Sequence, residues 1–340
     1  NIPLVLGERD ILKVATTLPG ISRAGEGAIG FNVRGGKADQ NLFLLDGASV
    51  YNPTHFFGIF SAINPFTSDA AQVYKGSIPA KYGGRLASVF DISTKEGSKE
   101  EFKGEVSIGP VTGNVTLETP IVKGKSSLIF GGRATYSDWI LNNLDDPVLK
   151  NSKASFYDFI AKYHHKINDN NELSVTGYYS SDLFNITIDS VYSYSNTLAS
   201  VNWKRKINED TKSNFKLAHS RYEFGIDFEG NANTNFDFSF NLNETEISYG
   251  LEHSLNENHR LEFGISSKLY SISPGKIKPV GEESIVLPFA INDEKGIESA
   301  LYLSDKWTFN EKISLSAGLR FSVYNFLGET TQRIYAPNSP

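Results

Sequence analysis

Hydrophobic and polar residues alternate one for one along most of this chain. The clearest run sets Ile313, Leu315, Ala317, Leu319, Phe321 and Val323 between Ser314, Ser316, Gly318, Arg320, Ser322 and Tyr324. Leu173, Val175, Gly177 and Tyr179 alternate in the same way with Ser174, Thr176 and Tyr178. Phe236, Phe238, Phe240 and Leu242 do so with Asp237, Ser239, Asn241 and Asn243. Successive side chains of a strand point to opposite faces, so each run predicts a strand with one apolar and one polar face. This pattern starts after Ser98 and continues to the end of the chain. Upstream of it, Ile11, Leu12, Val14, Ala15 and Leu18 recur at helical spacing until Pro19 and Gly20 stop the helix. Short strands are predicted over 31–34, 42–45, 71–74 and 86–92, separated by Gly-Gly, Asp-Gly and Asn-Pro punctuation. A small α+β domain is therefore expected to precede a long all-strand region.

A soluble sandwich alternates as a barrel does, so the connections have to separate the two. Four turns resemble one another: Ile167-Asn168-Asp169, Ile207-Asn208-Glu209, Leu255-Asn256-Glu257 and Phe309-Asn310-Glu311. Each interval between them fits two strands and one longer connection, and polar stretches read as long loops at 137–154, 183–195, 229–235 and 273–297. Tight turns on one side and long loops on the other are the sidedness of outer-membrane barrels. No run of roughly 18 apolar residues exists to form a transmembrane helix; the uncharged stretch from Gly47 to Ser68 is broken by Asn52, Pro53, His55, Asn64 and Pro65.

Composition narrows the classes further. With 39% hydrophobic and 21% charged residues the chain can bury substantial cores, and 33 Lys and Arg against 39 Asp and Glu leave no basic footprint for nucleic acid. The absence of cysteine excludes disulfide frameworks, thiolate metal sites and thiol nucleophiles. Among the 16 Tyr, 23 Phe and 3 Trp, many lie near strand ends, including Tyr136, Trp139, Trp203 and Trp307, as interfacial girdles require. The lack of Met and the Asn start lead to the expectation that this is a processed or trimmed piece of a longer chain.

Within the first hundred residues, Val33-Arg34-Gly35-Gly36, Asp39-Gln40-Asn41, Leu44-Leu45-Asp46-Gly47, Tyr51-Asn52-Pro53, Val73-Tyr74-Lys75-Gly76 and Tyr82-Gly83-Gly84-Arg85 follow in that order. The series resembles the plug domain of TonB-dependent outer-membrane receptors over nearly all of residues 1–97. Phe102-Lys103-Gly104-Glu105 looks like the start of that family's barrel. The expected fold is an α+β plug over 1–97 followed, over 102–340, by antiparallel transmembrane β-barrel strands, about 11 of an expected 22. An open half-barrel would present unpaired backbone groups to lipid at several kcal/mol each, so either the remaining strands and the TonB-contacting box lie outside this sequence or another polypeptide completes the wall.

The resemblance implies that Arg34 ties the plug to acidic residues of the barrel wall, a role extended to Arg85, for which a salt bridge within the plug is the competing reading. Tyr51, Asn52, His55, Phe56 and Phe57, joined by Lys81 and Tyr82, form an aromatic and polar cluster expected to face the lumen as ligand contacts; the alternative is that the phenylalanines pack the plug core. Gly35, Gly36, Gly47, Gly76, Gly83 and Gly84 are read as turn glycines that permit positive φ or close backbone approach.

Other patterns carry less. Gly25, Gly27 and Gly30 spell G-x-G-x-x-G, but the apolar strand follows rather than precedes them, reversing the dinucleotide geometry. His164 and His165 are adjacent in a strand and point to opposite faces, so they are not joint metal ligands. Asn168 to Glu172 lacks the glycine of a calcium loop. No catalytic constellation emerges, and neither enzyme activity, cofactor nor metal is expected. Two functions remain: an importer, and a non-transporting scaffold subunit of a larger outer-membrane assembly. The expected partners are outer-membrane lipid, a TonB-type periplasmic energy transducer, an unidentified small ligand and, on the scaffold reading, a surface lipoprotein or other outer-membrane subunits. The expected location is the Gram-negative outer membrane.

Overall fold

The computed structural model describes residues 4–5, 8–23, 30–56, 58–137, 139, 143, 152–187 and 189–328. Helix Ile11–Thr16 begins where Asp10 accepts a hydrogen bond from the Lys13 amide at 2.9 Å, a side-chain N-cap. Leu12 and Ala15 turn into the plug core, and Leu18 packs against it from beyond the helix end. The central plug sheet has the order Ala48–Ser49, Asn41–Leu45, Ser88–Thr94, Ser68–Tyr74. Asn41–Leu45 runs parallel to Ser88–Thr94 and is buried along its whole length, which is why it reads as a continuous apolar run. Phe43 stacks on Phe90 at 4.5 Å between centroids, and Phe31 joins them at 6.0 Å from Phe90. The strand expected over 86–92 starts only at Ser88 and continues to Thr94; Leu86 is exposed.

Among the described residues the second region is a wall of eleven strands in sequence order, each antiparallel to the next, from Lys103–Ile108 to Ile313–Phe326. A short strand, Phe289–Ala290, pairs alongside His259–Pro279. Among the described residues the first and last strands do not meet, so the sheet is open, and its concave side holds the plug. The four similar turns share one device: the side-chain oxygens of Asn168, Asn208, Asn256 and Asn310 each accept the backbone amide two residues on, at 2.9 to 3.0 Å. These are Asx turns, and they explain why asparagine recurs there.

The expected loop over 183–195 is mostly strand, and the one over 273–297 is strand over 273–279, 289–290 and 294–297. Asn171–Thr187 pairs with Ser190–Lys206 almost to its tip, and His259–Pro279 pairs as far as Pro279. Only 229–235 holds as a loop over its full length, and 137–154 lies largely outside the described residues. The polarity of 183–195 and 273–279 thus marks a change in what the outer face meets rather than a loss of pairing. The Thr211–Phe228 strand, 18 residues long, spans roughly 60 Å at about 3.3 Å per residue, well beyond a hydrocarbon core of about 30 Å.

The faces follow. On Ile313–Phe326, Leu315, Leu319 and Phe321 are exposed outward, whereas Arg320 reaches inward to the carbonyls of Ala80 and Lys81 at 3.3 and 3.0 Å. On Phe236–Ser254 the apolar face changes side. Ile247 and Tyr249 are exposed outward, while Phe240 and Leu242 line a cavity with plug residues, as does Glu244 on the same face. The Phe236 to Leu242 run is thus an inward stripe.

Candidate functional site

The chemistry of the molecule is concentrated where the plug meets the wall. Asp46 and Gly47 form a two-residue hairpin turn with φ of +47° and +82°, the left-handed pair such a turn needs. That geometry pushes the turn against the wall. The Asp46 carboxylate receives Lys162 Nζ at 3.2 Å, Thr176 Oγ1 at 2.7 Å and the Thr94 amide at 3.0 Å. Asn202 donates to the Asp46 carbonyl and Lys216 to that of Gly47, at 3.0 and 3.1 Å. A Cβ on Gly47 would lie 2.7 Å from Lys216 Cδ, and at φ +82° any side chain there is strained as well.

A second anchor surrounds His55, which is fully buried. Its Nδ1 lies 2.5 Å from Asp182 and its Nε2 3.4 Å from Asp158, and its ring stacks on Phe156 at 4.0 Å. Asp158 also pairs with Arg133 at 2.7 Å, and Arg133 donates to the Ser61 carbonyl of the plug at 2.6 Å. Burial alone would push the His55 pKa down, but the Asp182 and Asp158 carboxylates outweigh it and hold it above the ordinary 6.5. The adjacent Phe56 amide donates to Asp182 at 3.2 Å from a residue at φ +46°. Asn52 is buried too, exchanging hydrogen bonds with Asn196 through its amide and carbonyl.

The third anchor borders open space. Glu244 accepts from Ser49 Oγ at 2.8 Å, Tyr51 Oη at 2.5 Å and Lys268 Nζ at 3.1 Å. Burial, and then the nearby Glu244 carboxylate, push the Tyr51 hydroxyl up, keeping it a donor. Tyr51, Glu244 and Lys268 lie on a cavity of about 420 Å³ whose other walls include Arg85, Tyr222, Phe240 and Tyr270. A larger cavity of about 690 Å³ opens toward the tight turns, with Asp169 and Asn170 at its rim, and Lys268 borders both.

The ligand-facing cluster expected from the sequence is therefore dispersed. Tyr51 alone lies on the smaller cavity; Asn52, His55 and Phe56 are buried anchors, and Phe57 lies outside the described residues. Lys81 and Tyr82 line the larger cavity, Lys81 paired with Glu262 at 3.1 Å and Tyr82 bonded to Asp91 at 2.6 Å. The wall ion pair expected of Arg34 is not formed among the described residues. Arg34 is exposed at φ +49° and lies over Gly76, where a Cβ would come within 2.6 Å of its Nη1. Arg85 is likewise exposed and donates to the Gly84 carbonyl at 3.0 Å. Gly35, Gly47 and Gly84 have positive φ, whereas Gly36, Gly76 and Gly83 are places of close approach, Gly83 to Arg320.

Arg133, Asp158, Asp182 and Glu244 were missed because they belong to no motif and lie far apart in sequence. The available signal was charge at inward positions of otherwise apolar strands, as in Phe156-Tyr157-Asp158-Phe159.

A strand wall with a lipid-type outer face, holding a globule against its inner face through polar contacts, defines part of a plugged barrel of the outer-membrane type. A family model described as TonB-dependent receptor plug domain matches residues 5–89, and one described as TonB dependent receptor-like, beta-barrel, matches residues 110–338. The chain belongs to the TonB-dependent receptor family, a family of receptors and transporters rather than enzymes. Among solved structures, it is similar to the siderophore receptor PirA from Pseudomonas aeruginosa, with TM-score 0.66 and 16% identity over 95% of this chain and 54% of that one. The ferric citrate transporter FecA aligns with TM-score 0.65 and 15% identity over 94% of this chain and 55% of that one. The copper transporter OprC aligns with TM-score 0.71 and 12% identity over 91% and 51%. The chain spans about half the length of these structures, and at such identities the likeness shows the fold. No curated protein sequence matches the chain with significance.

Proposed function

We propose that this chain is the plug, over 1–97, and the N-terminal part of the barrel, over 102–340, of a receptor in the Gram-negative outer membrane that imports a small ligand. Capture takes place at the cavity floored by Glu244 and Lys268 and walled by Tyr51, Tyr222, Phe240 and Tyr270. Passage then requires a TonB-type periplasmic transducer to displace the plug. The observation that carries this reading is the nature of the plug–wall interface. Beside apolar contacts of Ile160, Leu198 and Phe156 with the plug, its anchors are ion pairs and hydrogen bonds, contacts that water can replace once a pull opens them. The full-length protein purified from native membranes, analysed by mass spectrometry for a retained small molecule, supplies the ligand. Its uptake is then compared in cells with and without the transducer. Uptake that persists without the transducer overturns the proposal.

A further inference from the structure

The connector between plug and wall carries a constellation that import does not use. Glu96 lies just past the last plug strand, its carbonyl held to the wall by Ser127 Oγ at 2.6 Å. Its carboxylate faces His164 of the Lys153–Asn168 strand, with Nε2 to Oε2 at 3.4 Å. Glu172, on the neighbouring Asn171–Thr187 strand, completes a set whose ligand atoms all lie within 4.8 Å of one another.

The state of His164 points beyond an acidic cluster. The residue is 2% exposed, and its Nε2 is buried without a hydrogen bond among the described residues. Its other nitrogen, Nδ1, lies 3.1 Å from Ser174 Oγ. In the tautomer that donates Nδ1–H to that hydroxyl, Nε2 carries a lone pair directed at a carboxylate oxygen. Two acceptors face one another across a gap that a cation would fill. Two ligands about 2.0–2.1 Å from a tetrahedral metal are roughly 3.3 Å apart, close to the separation found here. One imidazole nitrogen and two carboxylates, with water in the fourth place, form a zinc-type donor set; calcium and magnesium favour all-oxygen shells. The Ser174 hydroxyl that would orient the imidazole is already in place. Glu96 is half exposed, which leaves an entry path, and its present cation, Lys99 Nζ at 2.7 Å, sits on a flexible stem that can yield.

We infer that Glu96, His164 and Glu172 bind a divalent transition-metal ion of the zinc type, which staples the plug's C-terminal connector to the barrel wall on the tight-turn side. The site is structural and separate from the ligand cavity, so it stands whether or not import is the function.

The test uses the untagged full-length protein in detergent, stripped of metal and titrated with zinc chloride by calorimetry. One equivalent is expected to bind. Glu96→Gln and Glu172→Gln should each weaken binding at least tenfold, as should His164→Ala, while His165→Ala, on the opposite face, should leave it unchanged. Because His164 is buried, the two glutamate variants keep the test valid if His164→Ala fails to fold. Zinc should also slow tryptic cleavage at Lys95 and Lys99 at least tenfold in the wild type and not in Glu96→Gln. Absence of stoichiometric binding, or binding that survives Glu96→Gln with Glu172→Gln, overturns the site. Cleavage indifferent to bound zinc overturns the staple.

Discussion

Asp46→Asn isolates one charge at a buried plug–wall contact. Asparagine keeps the shape and tolerates the φ of +47° at this position, so backbone strain does not enter. What changes is the partner of Lys162, whose side chain is 8% exposed and lies 3.2 Å from the carboxylate. Removing one member of a buried ion pair costs about 3–5 kcal/mol, because the other charge is left uncompensated. Thr94 O still accepts from Lys162 at 2.8 Å, which places the loss at the lower end, about 3 kcal/mol. At about 1.4 kcal/mol per factor of ten, the displaced-plug population rises roughly a hundredfold. The assay is single-channel conductance of the full-length protein in planar bilayers, with plug proteolysis in parallel. Adding Lys162→Met removes the stranded charge and should restore most of the seal, since apolar replacement of a buried pair is often neutral or better. A single variant as tight as wild type, or a double variant no tighter than the single, refutes the reasoning.

Three further outcomes follow from the geometry. The His55 pKa is raised in the seated plug, so its contribution to seating is fully present below the ordinary 6.5 and is lost as pH rises through the seated value; bilayer leak should grow over that alkaline window, and His55→Gln should flatten the dependence. On the last wall strand, Ser316→Cys should react with water-soluble maleimide from the lumen and Ala317→Cys only with a lipid-soluble reagent; the reverse would mean a register slip of one residue. Gly47→Val would drive a side chain into Lys216 at a left-handed position. Overpacking there costs about 1–3 kcal/mol, so proteolysis of the plug should accelerate while barrel heat-modifiability stays unchanged.

The strand wall was legible because its signal is local. Period-two alternation, recurring asparagine turns and ordered plug motifs each occupy a few adjacent residues, and the count of eleven strands follows from them. The anchors were not legible, because Asp158 and Asp182 come to His55 from more than a hundred residues away. Nothing near His55 in sequence distinguishes an inward ligand contact from a buried latch. Arg34 differs again: the motif is present, and among the described residues the left-handed turn it sits in directs the side chain over Gly76. The Phe236 to Leu242 stripe shows that alternation fixes which residues share a face but not which medium that face meets.

The exchange of faces along the wall strands has a bearing on how the protein reaches its membrane. Outward on the Thr211–Phe228 strand, beyond the exposed Leu217, come His219 and the exposed Arg221–Glu223 pair, and the next strand opens with an exposed Asp237. During biogenesis this hairpin tip has to travel from one side of the bilayer to the other. Arg221 alone would meet a barrier of about 2–4 kcal/mol at the midplane, with smaller additions from each acidic neighbour. Unassisted passage of this tip through hydrocarbon would be slow. A hydrated or protein-lined route is therefore expected for this tip.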